Sequence, residues 1–261
     1  MPSRATRAVI LAVVGVLFAI PLLALVEFTL RGGLQGGYTL DHWIAVFSGG
    51  LDRSYKPLWD GLGNSLVLAI VTVLLMLVLL VPTMILVRLR FPRLHRPLEF
   101  LCLLPVTIPA IVLVVGLAPV YSVIARMFGS GTWTLAFAYG ILALPYAYRA
   151  IQSNLVAVDV ATLSEAARSL GAGWPTVLAT VILPNLRRGL LAAAFISIAV
   201  VLGEFTIASL LSRTNLQTAI VLVSKQDPYT AYIVILLSLV FAFLLLFAIG
   251  RIGGRTRRSV S

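Results

Sequence analysis

Two features of this chain offer chemistry. One is a polar stretch, Glu165-Ala166-Ala167-Arg168-Ser169-Leu170-Gly171, and the other is a single carboxylate, Glu204, set in an apolar run. Both suit docking and charge attraction rather than bond making. The two histidines, His42 and His95, fall in loops expected on opposite sides of a membrane. They can therefore join neither a Ser/His pair nor a metal cluster. The one cysteine, Cys102, lies in an apolar run without a CxxC partner and reads as a small core residue. A phosphate-binding loop needs GxxxxGK followed by Ser or Thr. The only lysines, Lys56 and Lys225, lie in no such pattern. No catalytic residue, cofactor-binding residue or metal ligand is assigned.

The elements that must position these residues are membrane helices. The chain has 261 residues, 60% hydrophobic and only 11% charged; a soluble domain carries about 25% charged residues. The net charge of +11 does not mark a nucleic-acid binder, because the basic residues are scattered in short groups between apolar spans. Six spans are expected, at about 8–29, 65–87, 100–124, 133–150, 189–211 and 231–249. Each is long enough to cross a hydrocarbon core of about 30 Å as a helix. Arg4 and Arg7 precede the first, which is too long for a typical signal peptide and reads as a retained helix.

Basic residues orient the chain. With the N-terminus inside, the inner side receives Arg4, Arg7, Arg88, Arg90, Arg93, Arg96, Arg149, Arg168, Arg187, Arg188, Arg251, Arg255, Arg257 and Arg258. The outer side receives Arg31, Arg53, Lys56, Arg126, Arg213 and Lys225. Fourteen against six places both termini in the cytoplasm. The outer loop from Arg31 to Asn64 holds Gly32-Gly33, Gly36-Gly37, Gly49-Gly50, Asp41, Asp52 and Asp60. It either covers the outer mouth or simply connects, and Trp43 and Trp59 fit an interfacial belt. The inner loop, about 151–188, carries the polar stretch.

Within that loop Thr162-x-x-Glu165 fits a capping box opening a short helix. Gly171 is its left-handed stop and Pro175 suits the first turn of a second helix. Pro184 is expected to end that helix before the fifth span. Ala166 and Ala167 leave room for another protein's backbone to approach. Polar candidates along a pathway are Glu204, Ser197, Thr206 and Ser209, with Thr107, Tyr121 and Ser122 as further ones; serine and threonine equally often join helices. Pro105, Pro109, Pro119 and Pro145 imply kinks.

The run Glu-Ala-Ala, three residues, Gly171, nine residues, Val181, one residue, Leu183-Pro184 resembles the EAA loop of type I permease subunits of ATP-binding cassette (ABC) importers. The likeness covers about 60–250 and includes Asn64-Ser65 and Gly203-Glu204-Phe205; Val181 stands where the family usually has Ile. It implies an all-α, polytopic fold of the MetI-like kind, a single permease domain over 1–261 with six helices. It implies a multi-pass protein of a prokaryotic plasma membrane whose Glu165, Ala166, Ala167 and Gly171 couple to an ATPase. Arg168 then pairs either with that ATPase or internally with Glu165. The implied partners are two ATP-binding cassette subunits, which bind the ATP and Mg, a second permease subunit, non-identical, and an extracytoplasmic substrate-binding protein, all in membrane lipid and without nucleic acid. The nearest likeness is to the group carrying polyamines, ferric ion, thiamine, sulfate and aminoethylphosphonate, and most to its spermidine/putrescine branch. Two rivals are a stand-alone ion-coupled secondary transporter, for which Glu204 is thin support, and an intramembrane enzyme.

Overall fold

The computed structural model describes residues 3–33, 36–48 and 55–254. Gly49, Gly50, Asp52 and Arg53 of the outer loop, and Arg255, Arg257 and Arg258 of the C-terminal basic group, lie outside the described residues. In chain order the helices are α1 (Arg4–Thr29), α2 (Asp41–Phe47), α3 (Lys56–Arg90), α4 (His95–Leu103), α5 (Ala110–Phe128) and α6 (Ala136–Ala157). They continue with α7 (Val160–Ser169), α8 (Trp174–Thr176), α9 (Leu183–Gly203), α10 (Thr206–Leu210), α11 (Leu216–Ser224) and α12 (Pro228–Gly254). Short 3₁₀ turns precede α4, α5 and α6.

Four helical runs among the described residues are long and apolar enough to cross a membrane: Arg4–Thr29, Lys56–Arg90, Ala110–Phe128 and Trp174–Gly203. α6 and α12 occupy the places of the expected fourth and sixth spans. α6 turns polar at Arg149, Gln152, Ser153 and Asn154, and the described apolar run of α12 is Pro228–Leu244.

Three span boundaries differ from the sequence expectation. α3 begins at Lys56, so Asn64-Ser65 lies within the helix instead of opening it, and the expected outer loop contains α2 and the first turns of α3. The third expected span breaks: Pro109 forces Ile108 into an extended conformation (φ −102°, ψ 121°), and the spanning helix starts at Ala110. The fifth runs from Trp174 and ends at Gly203, not at 211. Pro184 does not end it. A π-helical stretch, Val177–Ile182, ends two residues before the proline, and such a widened turn lets a helix continue past a residue that cannot fill the normal ladder. Pro119 and Pro145 likewise sit inside α5 and α6 without ending them.

The chain divides into two compact units. The first comprises Met1–Trp59 and Ala219–Leu245. Here α1 exposes Val9, Leu11, Phe18 and Leu23, an apolar surface all round that suits lipid rather than water. Its C-terminal end is held by aromatics. Phe28 stacks on Tyr229 at 5.2 Å and meets Tyr232 edge-on at 4.7 Å, and His42 stacks on Tyr229 at 4.4 Å. The Trp43 indole N–H donates to Thr29 Oγ1 at 3.1 Å, so this tryptophan is bonded within the unit, whereas Trp59 is exposed. Asp227 stands just before α12, with Pro228 as that helix's first residue. Its carboxylate accepts from Thr230 N–H at 3.2 Å, from the Thr230 hydroxyl at 2.5 Å and from the Tyr55 hydroxyl at 2.8 Å. That is an N-cap with an added tether.

The second unit comprises Asp60–Thr218 and Leu246–Ser261 and holds the polar loop. One apolar cluster joins Met84 and Ile85 of α3, Cys102 of α4, Ala147 and Ile151 of α6, and Leu186 of α9. Another joins Leu68 of α3, Val114 of α5, Tyr139 of α6, Val201 of α9 and Ile207 of α10. α6 reaches both clusters and meets α9 at Gly189. A Cβ placed on Gly189 would fall 2.7 Å from Asn154 Cβ and 3.1 Å from the Ala150 carbonyl oxygen. The absence of a side chain there lets the two helices meet backbone to backbone.

Two expectations follow. Gly189→Leu overfills this contact and should cost at least about 1–3 kcal/mol, read as a lower thermal midpoint in detergent and faster proteolysis between 157 and 176. Burial alone would raise the Asp227 carboxyl, but the bonds from Thr230 and Tyr55 outweigh it and hold the group below its ordinary value of 3.8. Its stabilisation is therefore complete above the unfolded-chain value and is lost as pH falls through the lowered native one. Amide exchange at Thr230 should show that acid-side loss, and Asp227→Asn should remove the pH step.

Candidate functional site

The polar loop is structured from end to end. α6 ends at Ala157, and Asp159 adopts a left-handed conformation (φ 44°, ψ 63°), which aspartate tolerates better than most residues. The chain turns there and α7 begins at Val160, earlier than the expected capping box. Thr162 consequently lies inside the helix, where its hydroxyl donates to Asp159 Oδ2 at 2.7 Å. Glu165 is mid-helix and exposed, so the Thr162–Glu165 box does not form.

The C-terminal end matches the expectation. Gly171 has φ +85°. Its N–H donates to the Arg168 carbonyl at 2.9 Å, and the Ala172 N–H reaches back to the Ala167 carbonyl at 3.1 Å. Those two bonds define a Schellman stop. Ala167 and Ala172 both lean on the core cluster that contains Val160, Val177 and Ile182, so one face of α7 is anchored to its own chain. The opposite face presents Glu165, Ala166, Arg168 and Ser169 to solvent. Leu170, at the tip, is 89% exposed. The Arg168 guanidinium lies 5.0 Å from the Trp174 ring centroid; this cation–π contact, worth about 0.5–1 kcal/mol at an exposed site, takes the place of the internal pair with Glu165. Trp174 opens α8 after Gly173, with Pro175 in the first turn.

Glu204 lies at a helix break, not within a continuous span. α9 stops at Gly203, and Glu204 is extended (φ −89°, ψ 126°). Its two carboxylate oxygens both accept from the Ile207 N–H at 3.0 Å, capping the turn that leads into α10. A break in an apolar helix frees carbonyls that need new donors. Gln217 Nε2 donates to the Leu202 carbonyl at 2.8 Å, and Asn215 Nδ2 donates to the Glu204 carbonyl at 2.8 Å and to the Tyr139 hydroxyl oxygen at 3.1 Å. The segment carrying these donors is held from α3: Asn64 Nδ2 donates to the Thr214 carbonyl at 2.9 Å, and the Leu216 N–H donates to Ser65 Oγ at 2.8 Å.

The other pathway candidates are dispersed. Ser197 is buried and returns its hydroxyl to the Ala193 carbonyl of its own helix at 2.9 Å. Thr206 is half-buried and Ser209 exposed, both on α10. Tyr121 donates to the Thr134 carbonyl at 3.1 Å and accepts from the Ala138 N–H at 2.9 Å, whereas Thr107 and Ser122 bond carbonyls three residues back. Asn215, Gln217 and Tyr139 were not among the sequence candidates. One signal was present. Asn215 and Thr218 exchange bonds, Thr218 N–H to Asn215 Oδ1 and Asn215 N–H to Thr218 Oγ1, each at 2.9 Å, a reciprocal cap with Asn and Thr in place of the usual pair.

The chain is similar to known proteins over most of its length. The family described as "Binding-protein-dependent transport system inner membrane component" matches residues 84–258. That interval contains α7, the Gly171 stop and the break at Glu204. A probable ABC transporter permease protein, y4fN, of Sinorhizobium fredii (strain NBRC 101917 / NGR234) is 28% identical over 220 residues. The match covers 80% of this chain and 37% of that protein, so the chain spans well under half the length of this curated relative.

The helix break predicts a specific weakness. Asn215→Leu strips donors from the Glu204 carbonyl and the Tyr139 hydroxyl. The Glu204 carbonyl, left without that donor, costs about 1–3 kcal/mol, and the Tyr139 hydroxyl loses one of its partners. The thermal midpoint in detergent should drop well below that of Thr162→Ala, which loses one exposed bond.

Proposed function

This chain belongs to the binding-protein-dependent transport system inner membrane components, the permeases of ABC importers, and from that premise we propose that it forms half of a solute passage moved by a separate ATPase. Its role is conduction and coupling, with ATP and Mg bound on two partner subunits. A second, non-identical permease completes the passage, and an extracytoplasmic binding protein delivers the solute. In this reading six helices cross the plasma membrane of a prokaryote, with both termini and α7 on the cytoplasmic side. The fourteen-to-six distribution of basic residues favours that orientation.

The observation that carries the reading is the exposed tip of α7. Leu170 projects 89% exposed beside Glu165, Ala166 and Arg168, while Ala167 and Ala172 anchor the reverse face. A solitary apolar side chain on a braced polar helix suits insertion into a groove of another protein, where full burial of a leucine is worth about 1.5–3 kcal/mol. Closure of the ATPase pair on ATP then pushes α7, and the push biases the passage between inward and outward openings. We assign Glu165, Ala166, Arg168 and Gly171 to the coupling contact and Leu170 as its inserted group; Ala167, expected beside them, packs on its own chain and braces the contact from behind.

The solute is a small polar one such as a polyamine. Glu204 supplies a half-buried carboxylate on the break after α9, and Thr206 and Ser209 follow it. Selection among solutes rests mainly with the binding protein. A single carboxylate engaged as a helix cap offers little to the rival secondary-transport reading, which needs paired intramembrane carboxylates or basic partners.

Glu165→Lys combined with Gly171→Pro should abolish co-purification of the ATP-binding subunit while leaving the chain inserted. Leu170→Asp alone should weaken it by about 10- to 100-fold, the equivalent of one buried leucine. Normal co-purification of both variants contradicts the assignment.

A further inference from the structure

Two cavities in the second unit lie along the same pair of helices. The first, about 320 Å³, is lined by Arg88 near the end of α3, by Pro92, and by His95 and Arg96 at the start of α4. The second, about 340 Å³, is apolar and lies farther along both helices, with Leu75 and Leu79 from α3, Leu98 and Leu101 from α4, and Phe137 and Leu144 of α6 as its third wall. Because α4 runs back alongside α3, falling numbers in one and rising numbers in the other lead away from the basic end in the same direction. From Arg88 to Leu75 is about 20 Å at ~1.5 Å per residue, comparable with the hydrocarbon depth of one leaflet, about 15 Å.

Charge follows the same gradient. Arg88, Arg90, Arg93 and Arg96 are exposed, and none of them forms an ion pair with a carboxylate among the described residues. Glu99 faces His95 Nδ1 at 4.0 Å, and the other ring nitrogen of His95 meets Gln152 Nε2 at 2.7 Å, so the imidazole is fixed on the cavity wall. Farther along, Leu79, Phe100 and Leu101 are exposed hydrocarbon. Unpaired guanidiniums above an open apolar groove match a molecule with an anionic phosphate at one end and an acyl chain at the other.

We propose that the cleft between α3 and α4 binds one anionic phospholipid, its phosphate between Arg88 and Arg96 and an acyl chain along Leu98, Leu79 and Leu75. Other anionic phosphates share the headgroup chemistry, and only a lipid also fills the groove. The site needs no ATPase, so it stands or falls independently of the importer reading.

The test is native mass spectrometry of the full chain in detergent with dioleoyl phosphatidylglycerol, dioleoyl phosphatidylcholine, dihexanoyl phosphatidylglycerol or inorganic phosphate. One long-chain phosphatidylglycerol should be retained in preference to the other three. Arg88→Gln with Arg96→Gln should weaken its retention about tenfold or more, and Leu79→Trp, which fills an exposed groove position, should do so with the arginines intact. Circular dichroism and gel filtration check folding; if the double variant fails to fold, Leu79→Trp decides. Equal retention of phosphatidylcholine, equal binding of the short-chain lipid or inorganic phosphate, or unchanged retention in folded variants overturns the proposal. So does loss of retention when the second permease is bound, which would make the groove a subunit contact.

Discussion

The backbone-close crossing of α6 and α9 at Gly189 is the constraint on which the second unit depends. These two helices enter and leave the polar loop, and their contact fixes the loop's two ends. With no side chain at Gly189, Asn154 and the Ala150 carbonyl close the gap directly. Packed interfaces of this kind move as discrete bodies rather than deforming continuously. α7, α8 and the π-helical stretch are therefore set on a firm base, and Val160, Val177 and Ile182 bury the loop's inner side. In the proposed coupling, packed side chains connect the base of this loop to α6 and α9.

At the far end of α9 the same helix is interrupted. Ending a helix in an apolar setting is costly unless every freed backbone group finds a partner. Glu204 supplies an acceptor for the Ile207 N–H, and Gln217 and Asn215 supply donors for the Leu202 and Glu204 carbonyls. One helix thus joins the braced loop at one end to a polar, hydrogen-bonded break at the other. Glu204 holds that break through its hydrogen bonds to the Ile207 N–H, and its replacement is expected to affect structure.

The general plan was legible in the sequence because it rests on long-range composition and on residues with few conformational options. Apolar run length announced membrane helices, and Gly171 announced a left-handed stop that the structure adopts at φ +85°. Where the sequence misled, competing local effects decided. The Thr162–Glu165 box was plausible by spacing, but Asp159 turned the chain earlier. Pro184 looked like a terminator, and the π-helical stretch carried the helix through it. Pro109, in contrast, did break its span, because the residue before it was free to extend. The donors at the break escaped notice because Asn215 and Gln217 serve carbonyls whose exposure depends on where α9 ends, and that boundary is set by tertiary packing.

The central claim is that α7 is a braced docking lever whose tip enters another protein. Site-specific photocrosslinking from position 170 in membranes containing the ATP-binding subunit tests it most directly. The account predicts one dominant adduct with that subunit and a change in its yield when ATP is added. Adducts confined to lipid or to this chain's own residues would contradict it.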